Sequence, residues 1–287
     1  MNNIEQKEDY SSLPFPEPPS AVEPHGPNNP PWGSAIAIVT WMASVLMIFI
    51  VPGIFLVPYL LSHGAQNLGS EELSKFATSD PTALLIQVAG VLPAHLITLA
   101  IGWYVVTHAN KHPFFATLGW RSGGMRWWHH VVILLLFMVL AAIVGSIAPE
   151  QDNDLLRILR SSRLALYTVA VLAVFSAPFV EELVYRGILY SALQRTAGNW
   201  SAIAIVTFLF ALVHVPQYWG SPTTIILLTL LSLILTLVRV QTGNLLPCVI
   251  LHTLFNAVQS ALLILNPQMN TPTAPPDPAT FIFALIK

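Results

Sequence analysis

Val174-Phe175-Ser176-Ala177-Pro178-Phe179-Val180-Glu181-Glu182-Leu183-Val184-Tyr185-Arg186 is the stretch on which the reading of this chain turns. Its first half would suit a membrane span bent by a proline. Its second half sets two adjacent carboxylates and a guanidinium into the same apolar run. An ionisable residue at mid-bilayer costs about 2.5–3.5 kcal/mol on insertion scales, and two neighbouring carboxylates also repel. Either this helix lies in water, or its charges form a site, a pair or a relay inside lipid.

Composition decides between the two. Charged residues make up 9% of the 287, against about 25% in a soluble domain. Hydrophobic residues reach 54% and the mean hydropathy is +0.65. That is too little charge to cover a soluble surface, so membrane lipid is the expected solvent. The net charge of −2 and the absence of any basic run give no reason to expect a nucleic-acid partner. With Cys248 the one cysteine, no intrachain disulfide can form.

A helix needs about 20 apolar residues to cross about 30 Å of hydrocarbon. Working outward from the Glu-Glu stretch, the fourth such helix is expected at 164–196 and the third at 127–147. A second runs at 83–107 and a first at 34–61, bent near Pro52 and Gly53. Downstream, spans are expected at 201–217, 223–238 and 245–265. The fold class is therefore all-α: a polytopic transmembrane helical bundle of about seven spans, seven or eight by this reading. Sheet would leave backbone groups unpaired in lipid, and the alternation of a barrel is absent. Residues 1–33 and 267–287 are Pro-rich and read as tails, the first as a disordered one. Between them, 34–147 forms an amino-terminal helical unit and 148–266 a core holding the ionisable groups. Arg157, Arg160 and Arg163 recur at three-residue spacing, as on a helix lying in the interface. Lys and Arg in 108–126 and 186–200, with Arg239, argue for a cytoplasmic amino terminus, whereas Arg157, Arg160 and Arg163 argue against it.

Three pairs of polar residues stand out. Glu182 and Arg186 are four apart, share a helix face and can pair. Glu181 is rotated about 100° away on a 3.6-residue helix, so Arg186 can neutralise Glu182 and leave Glu181 to act as a base. A packing network of Glu181, Glu182 and Arg186 between helices is the plainer account. His214 ends the apolar run Phe208-Leu209-Phe210-Ala211-Leu212-Val213, where a hydrogen-bonded core histidine is also ordinary. His252 and Asn256, again four apart, could simply bond across helices. By helix rise Glu181 and His214 sit at matching depth and His252 shallower by roughly 9–12 Å. His95, beside Pro93, could line the same cavity or be a satisfied core histidine. Cys248 precedes His252 by four, yet a buried packing cysteine is the simpler reading. No His-Glu-x-x-His segment is present.

Glu181-Glu182-x-x-x-Arg186, Phe210-x-x-x-His214 and His252-x-x-x-Asn256, in that order on three apolar helices, resemble the CPBP family of intramembrane proteases. That family includes type II CaaX prenyl proteases and the bacteriocin-processing or immunity proteins of the Abi type. The resemblance spans roughly residues 173–260. It implies a helical bundle with a polar cavity, in which Glu181 activates a water and His214 helps to hold it. His252 and Asn256 would stabilise the oxyanion, with Glu182 and Arg186 in support. The substrate would be a membrane-associated peptide or protein, and the location a multi-pass one in the plasma membrane. No cofactor is implied, although one glutamate and two histidines could hold zinc with an open fourth position. A non-catalytic immunity or partner-binding protein of the same fold is the alternative. A proton-coupled transporter is a third reading, without the repeats or paired broken helices that would favour it.

Overall fold

The computed structural model describes residues 25–148 and 154–266, and all their regular elements are helices. α1 is Ser34–Ser62, α2 Ser70–Ser79, α3 Pro81–Val106, α4 Phe114–Leu118 and α5 Trp127–Ile147. After the gap come α6 (Asp154–Ser161), α7 (Arg163–Phe175) and α8 (Ala177–Glu182). A π-helical segment (Leu183–Leu189) and α9 (Tyr190–Ala197) continue α8. α10 (Asn199–His214), α11 (Pro222–Thr242) and α12 (Leu246–Leu265) complete the set. Six helices are long and apolar enough to cross a membrane, counting Arg163–Ala197 as one, and the 16-residue α10 is a shorter apolar helix. The protein is thus an all-α polytopic bundle, integral to a membrane. Its outward faces are apolar: Val39, Ile54, Leu136, Val139 and Phe208 are exposed, as lipid contact requires.

The fourth span departs from the single bent helix expected. Pro178 has no N–H to offer a carbonyl one turn back, and the chain breaks at Ser176, which closes α7 and opens α8. α6 buries Leu155, Leu156, Ile158 and Leu159 against the bundle. The side chain of Arg157 lies outside the described residues.

Two glycines set how closely α3 can approach its neighbours. A Cβ on Gly90 would fall 2.8 Å from the Pro52 Cα of α1, and one on Gly102 would fall 2.6 Å from the Leu183 Cδ2. Small residues at such crossings let backbones pack in lipid, where no hydrophobic force drives helices together. At the far end of α1, Asp80 accepts from the Ala83 N–H at 2.8 Å and from the Tyr59 hydroxyl at 2.9 Å, capping α3 and tying it to α1.

The expected disordered tail of 1–33 needs correction where it is described. Residues 25–33 form a strap packed on one end of the bundle; residues 1–24 and 267–287 lie outside the described residues. Trp32 is buried and its indole N–H donates to the Ile188 carbonyl at 3.0 Å. Arg195 donates to the Pro30 carbonyl at 2.8 Å. Arg239, 1% exposed, donates to the Pro27 carbonyl, the Asn28 side chain and the Ser191 hydroxyl. The strap's proline-rich composition gave no core-forming pattern, but its carbonyls satisfy guanidinium donors of Arg195 and of the buried Arg239.

Two outcomes follow from this packing. Gly90→Ala overpacks the α1–α3 crossing and lowers stability by about 1–3 kcal/mol in a detergent unfolding titration, whereas Gly53→Ala, with nothing within 4 Å of its added Cβ, does not. At the strap, the His25 and His112 rings meet edge to face at 4.7 Å. Desolvation, then the positive neighbours His25, His108 and Lys111, hold the His112 pKa below its usual 6.5. A base with a lowered folded pKa contributes its full stability above the unfolded value and loses it as pH falls. Docking of the strap therefore weakens below about pH 6.5. A ¹⁹F label on the Trp32 indole would report a growing undocked signal on acidification, and His112→Phe would flatten that response.

Candidate active site

The polar residues of α8, the π segment, α10, α11 and α12 converge. Glu182 and Arg186 are both 0% exposed, and the Arg186 Nη1 donates to the Glu182 Oε1 at 2.9 Å. The remaining donors of the fork turn to α11. Nη2 reaches the Ser232 carbonyl at 2.9 Å and its hydroxyl at 2.8 Å, and Nε reaches the Thr236 hydroxyl at 3.2 Å. The guanidinium also lies 4.8 Å from the centre of the Phe210 ring, a cation–π arrangement worth more once desolvated. A planar, five-donor cation suits this place, and a lysine could not make all these contacts.

The same Glu182 Oε1 accepts from the His252 Nδ1 at 2.8 Å. A carboxylate held by two cationic or N–H donors is an acceptor, so the His252 proton sits on Nδ1 and its Nε2 faces the other way. That nitrogen lies 3.7 Å from the Glu181 Oε2, too far for a direct hydrogen bond. His252 thus stands between two carboxylates, bonded to one and near the other. Glu181, rotated off the Arg186 face as its position predicts, has a side chain 15% exposed. The α11–α12 turn is covered by chain: the Leu245 N–H donates to the Gly119 carbonyl, and the Asn244 side chain to that of Gly123.

His214 is the last residue of α10. Its Nδ1 lies 2.6 Å from the Phe210 carbonyl; because a carbonyl can only accept, Nδ1 carries the proton and Nε2 is the basic nitrogen. Its ring also stacks on Phe210 at 4.7 Å. The Asn256 Nδ2 donates to the Ala173 carbonyl at 2.8 Å. That carbonyl belongs to the last turn of α7, where intrahelical partners run out, so the break at Ser176 supplies the acceptor that orients Asn256.

Glu181, His214, His252 and Asn256 line one cavity, with about 50 Å³ of water-sized space. Leu159, Ala173, Ala177 and Leu263 are among its apolar walls. Cys248 is not part of it; fully buried, its thiol points to the Leu235 carbonyl. The sequence reading did not single out Ser232 or Thr236. Their signal was present, as hydroxyls four apart on an apolar helix, but without a known partner it matched ordinary back-bonding to the helix. Among the described residues no three His, Cys, Asp or Glu side chains are grouped so as to hold a metal ion.

Removing Arg186 would leave the Glu182 charge buried and uncompensated. Arg186→Leu should cost about 3–5 kcal/mol in detergent unfolding, and Arg186→Lys should recover only part of it.

No curated protein and no solved structure matches the chain. The family model described as type II CAAX prenyl endopeptidase, Rce1-like, matches residues 163–258, about a third of the chain. Every polar residue of the cavity lies inside that match except its far rim, Gln259 and Ser260. Residues 163–258 thus carry an Rce1-like domain of the type II CAAX prenyl endopeptidase family.

Proposed function

We propose that this membrane protein is an endopeptidase that hydrolyses a peptide bond of a membrane-associated substrate, with residues 148–266 as its catalytic core. The observation that carries the reading is the convergence of Glu181, His214, His252 and Asn256 on one cavity with aliphatic walls. Such walls suit a peptide segment with apolar side chains, in keeping with the CAAX class named by the family match.

In this reading Glu181 is the general base. It takes a proton from a water held between its carboxylate and the basic Nε2 of His214. The water oxygen bonds to the peptide carbonyl carbon, and the developing oxyanion is met by N–H donors. The Asn256 amide has two hydrogens, one given to Ala173 and one for the oxyanion. His252 donates from Nε2 when that nitrogen is protonated. Glu181 then returns its proton to the leaving amine as the C–N bond breaks. Glu182 and Arg186 touch neither substrate nor water; they hold His252 in its tautomer and place. No step is routed through a metal.

The test is cleavage by the purified protein in lipid vesicles of a farnesylated peptide ending Cys-aliphatic-aliphatic-X, beside an unprenylated peptide library. Mass spectrometry should find a product with the wild type and a loss of at least about 10²-fold in Glu181→Gln. Equal activity in Glu181→Gln would sink the mechanism. Binding without any wild-type cleavage would favour a non-catalytic immunity or partner-binding role.

A further inference from the structure

Glu181 and His214 line two cavities, not one. The second lies on their other side, between α1, α3 and the helices that carry the pair. Ser44, Val45, Ile48, His95, Val180, Val184, Tyr185 and Val213 complete its walls, and it too has about 50 Å³ of water-sized space. A water needs about 10–15 Å³ by this measure and two to four polar partners, so the space suffices for more than one.

The polar groups are arranged for that ligand. The Ser176 hydroxyl donates its single hydrogen to the Leu172 carbonyl at 3.0 Å, so it can only accept from the His95 Nδ1, 2.9 Å away. The His95 proton is thereby fixed on Nδ1, and Nε2 is a hydrogen-bond acceptor on a ring that is 2% exposed and lines the cavity. The Ser44 hydroxyl likewise spends its hydrogen on the Trp41 carbonyl at 2.7 Å, leaving an oxygen that accepts. Glu181 and His214 line the same space. Nothing among the described hydrogen bonds ties His95 to a helix other than the one Ser176 closes.

We propose that this second cavity is a water-holding chamber behind the candidate active site, with His95 anchoring the water from which the nucleophile is drawn. The chamber itself rests on geometry; its use for hydrolysis rests on the endopeptidase reading. A peptide filling the first cavity would expel water from it, yet each cleavage consumes one water: its oxygen bonds to the acyl carbon, one proton passes through Glu181 to the leaving nitrogen, and the other stays with the product acid. The second cavity reaches Glu181 and His214 from the face that the peptide does not occupy. His95 touches no reacting atom in this scheme and is a positioning residue.

Two readouts test this on the full chain in lipid. The first is X-ray radiolytic footprinting, in which water beside a buried side chain is converted to hydroxyl radical and labels it. Tyr185, 5% exposed, should be labelled in the wild type far above Tyr190, which is 1% exposed and lines no part of this cavity, and the label should fall in His95→Leu. The second is cleavage of the farnesylated peptide. His95→Leu should lower kcat about tenfold, the worth of one lost hydrogen bond of about that strength, with KM unchanged, and His95→Gln, which keeps an acceptor at that reach, should restore most of it. An unlabelled Tyr185 in the wild type overturns the proposal whatever the cleavage result. Labelling that depends on His95 without any cleavage keeps the chamber and removes the endopeptidase reading. A loss in His95→Leu that appears in KM or melting temperature, and that His95→Gln does not repair, reduces His95 to a packing residue and also overturns the proposal.

Discussion

One oxygen atom holds the polar centre of this bundle together. The Glu182 Oε1 accepts from Arg186 on one side and from His252 on the other, and through Arg186 it reaches the backbone and hydroxyls of α11. Three separately inserted segments, the Glu-Glu helix, α11 and α12, are thus joined at a single buried carboxylate. Charge removed from water is costly, and the attraction between partners offsets that cost only when geometry and further hydrogen bonds are good. Here the guanidinium has its donors directed at four acceptor atoms and a ring face. The π-helical turn that follows Glu182 belongs to the same arrangement. Wider turns of this kind recur at functional sites, and this one carries Arg186 and Gly187 into a fully buried position.

Much of the architecture was legible in the residues because lipid leaves few alternatives. α5 begins and ends where its apolar run does, and no end of α1, α3 or α12 departs from its expected limit by more than two residues. The pairing of Glu182 with Arg186 follows from helical spacing alone. Features that depend on tertiary partners were not legible. The residues between 25 and 33 have no periodicity to announce packing; what docks them is donors on the exposed Arg195 and the buried Arg239, more than a hundred residues away in sequence. Ser232 and Thr236 look like many hydroxyls in membrane helices until Arg186 is placed beside them. The second cavity is invisible in principle, since it arises from the shape left between α1, α3 and the Glu181 segment rather than from any one stretch of sequence.

His95 illustrates the same limit from the other side. Read alone, a histidine beside a proline in an apolar span is either a bonded core residue or a cavity residue, and nothing local chooses. The structure makes it both. One nitrogen is satisfied by Ser176, a residue exposed to such a bond because Pro178 interrupts the helix there, and the ring lines the space behind Glu181. The same interruption gives Asn256 its carbonyl partner on Ala173. A single proline therefore organises polar groups on two faces of the fourth span.

The shortness of α10 bears on the surrounding bilayer. Sixteen residues rise about 24 Å, less than the hydrocarbon thickness of about 30 Å. Trp200 opens the helix 80% exposed and Trp219 follows its end at 72%, the positions of interfacial anchors. Lipid beside this helix must compress to meet them, at a cost of fractions of a kcal/mol per Å. A hydrocarbon layer matched to these two anchors would be thinner along the flank that ends at His214 than beside α1 or α3, and a chain segment sliding in from that side would leave less hydrocarbon behind it.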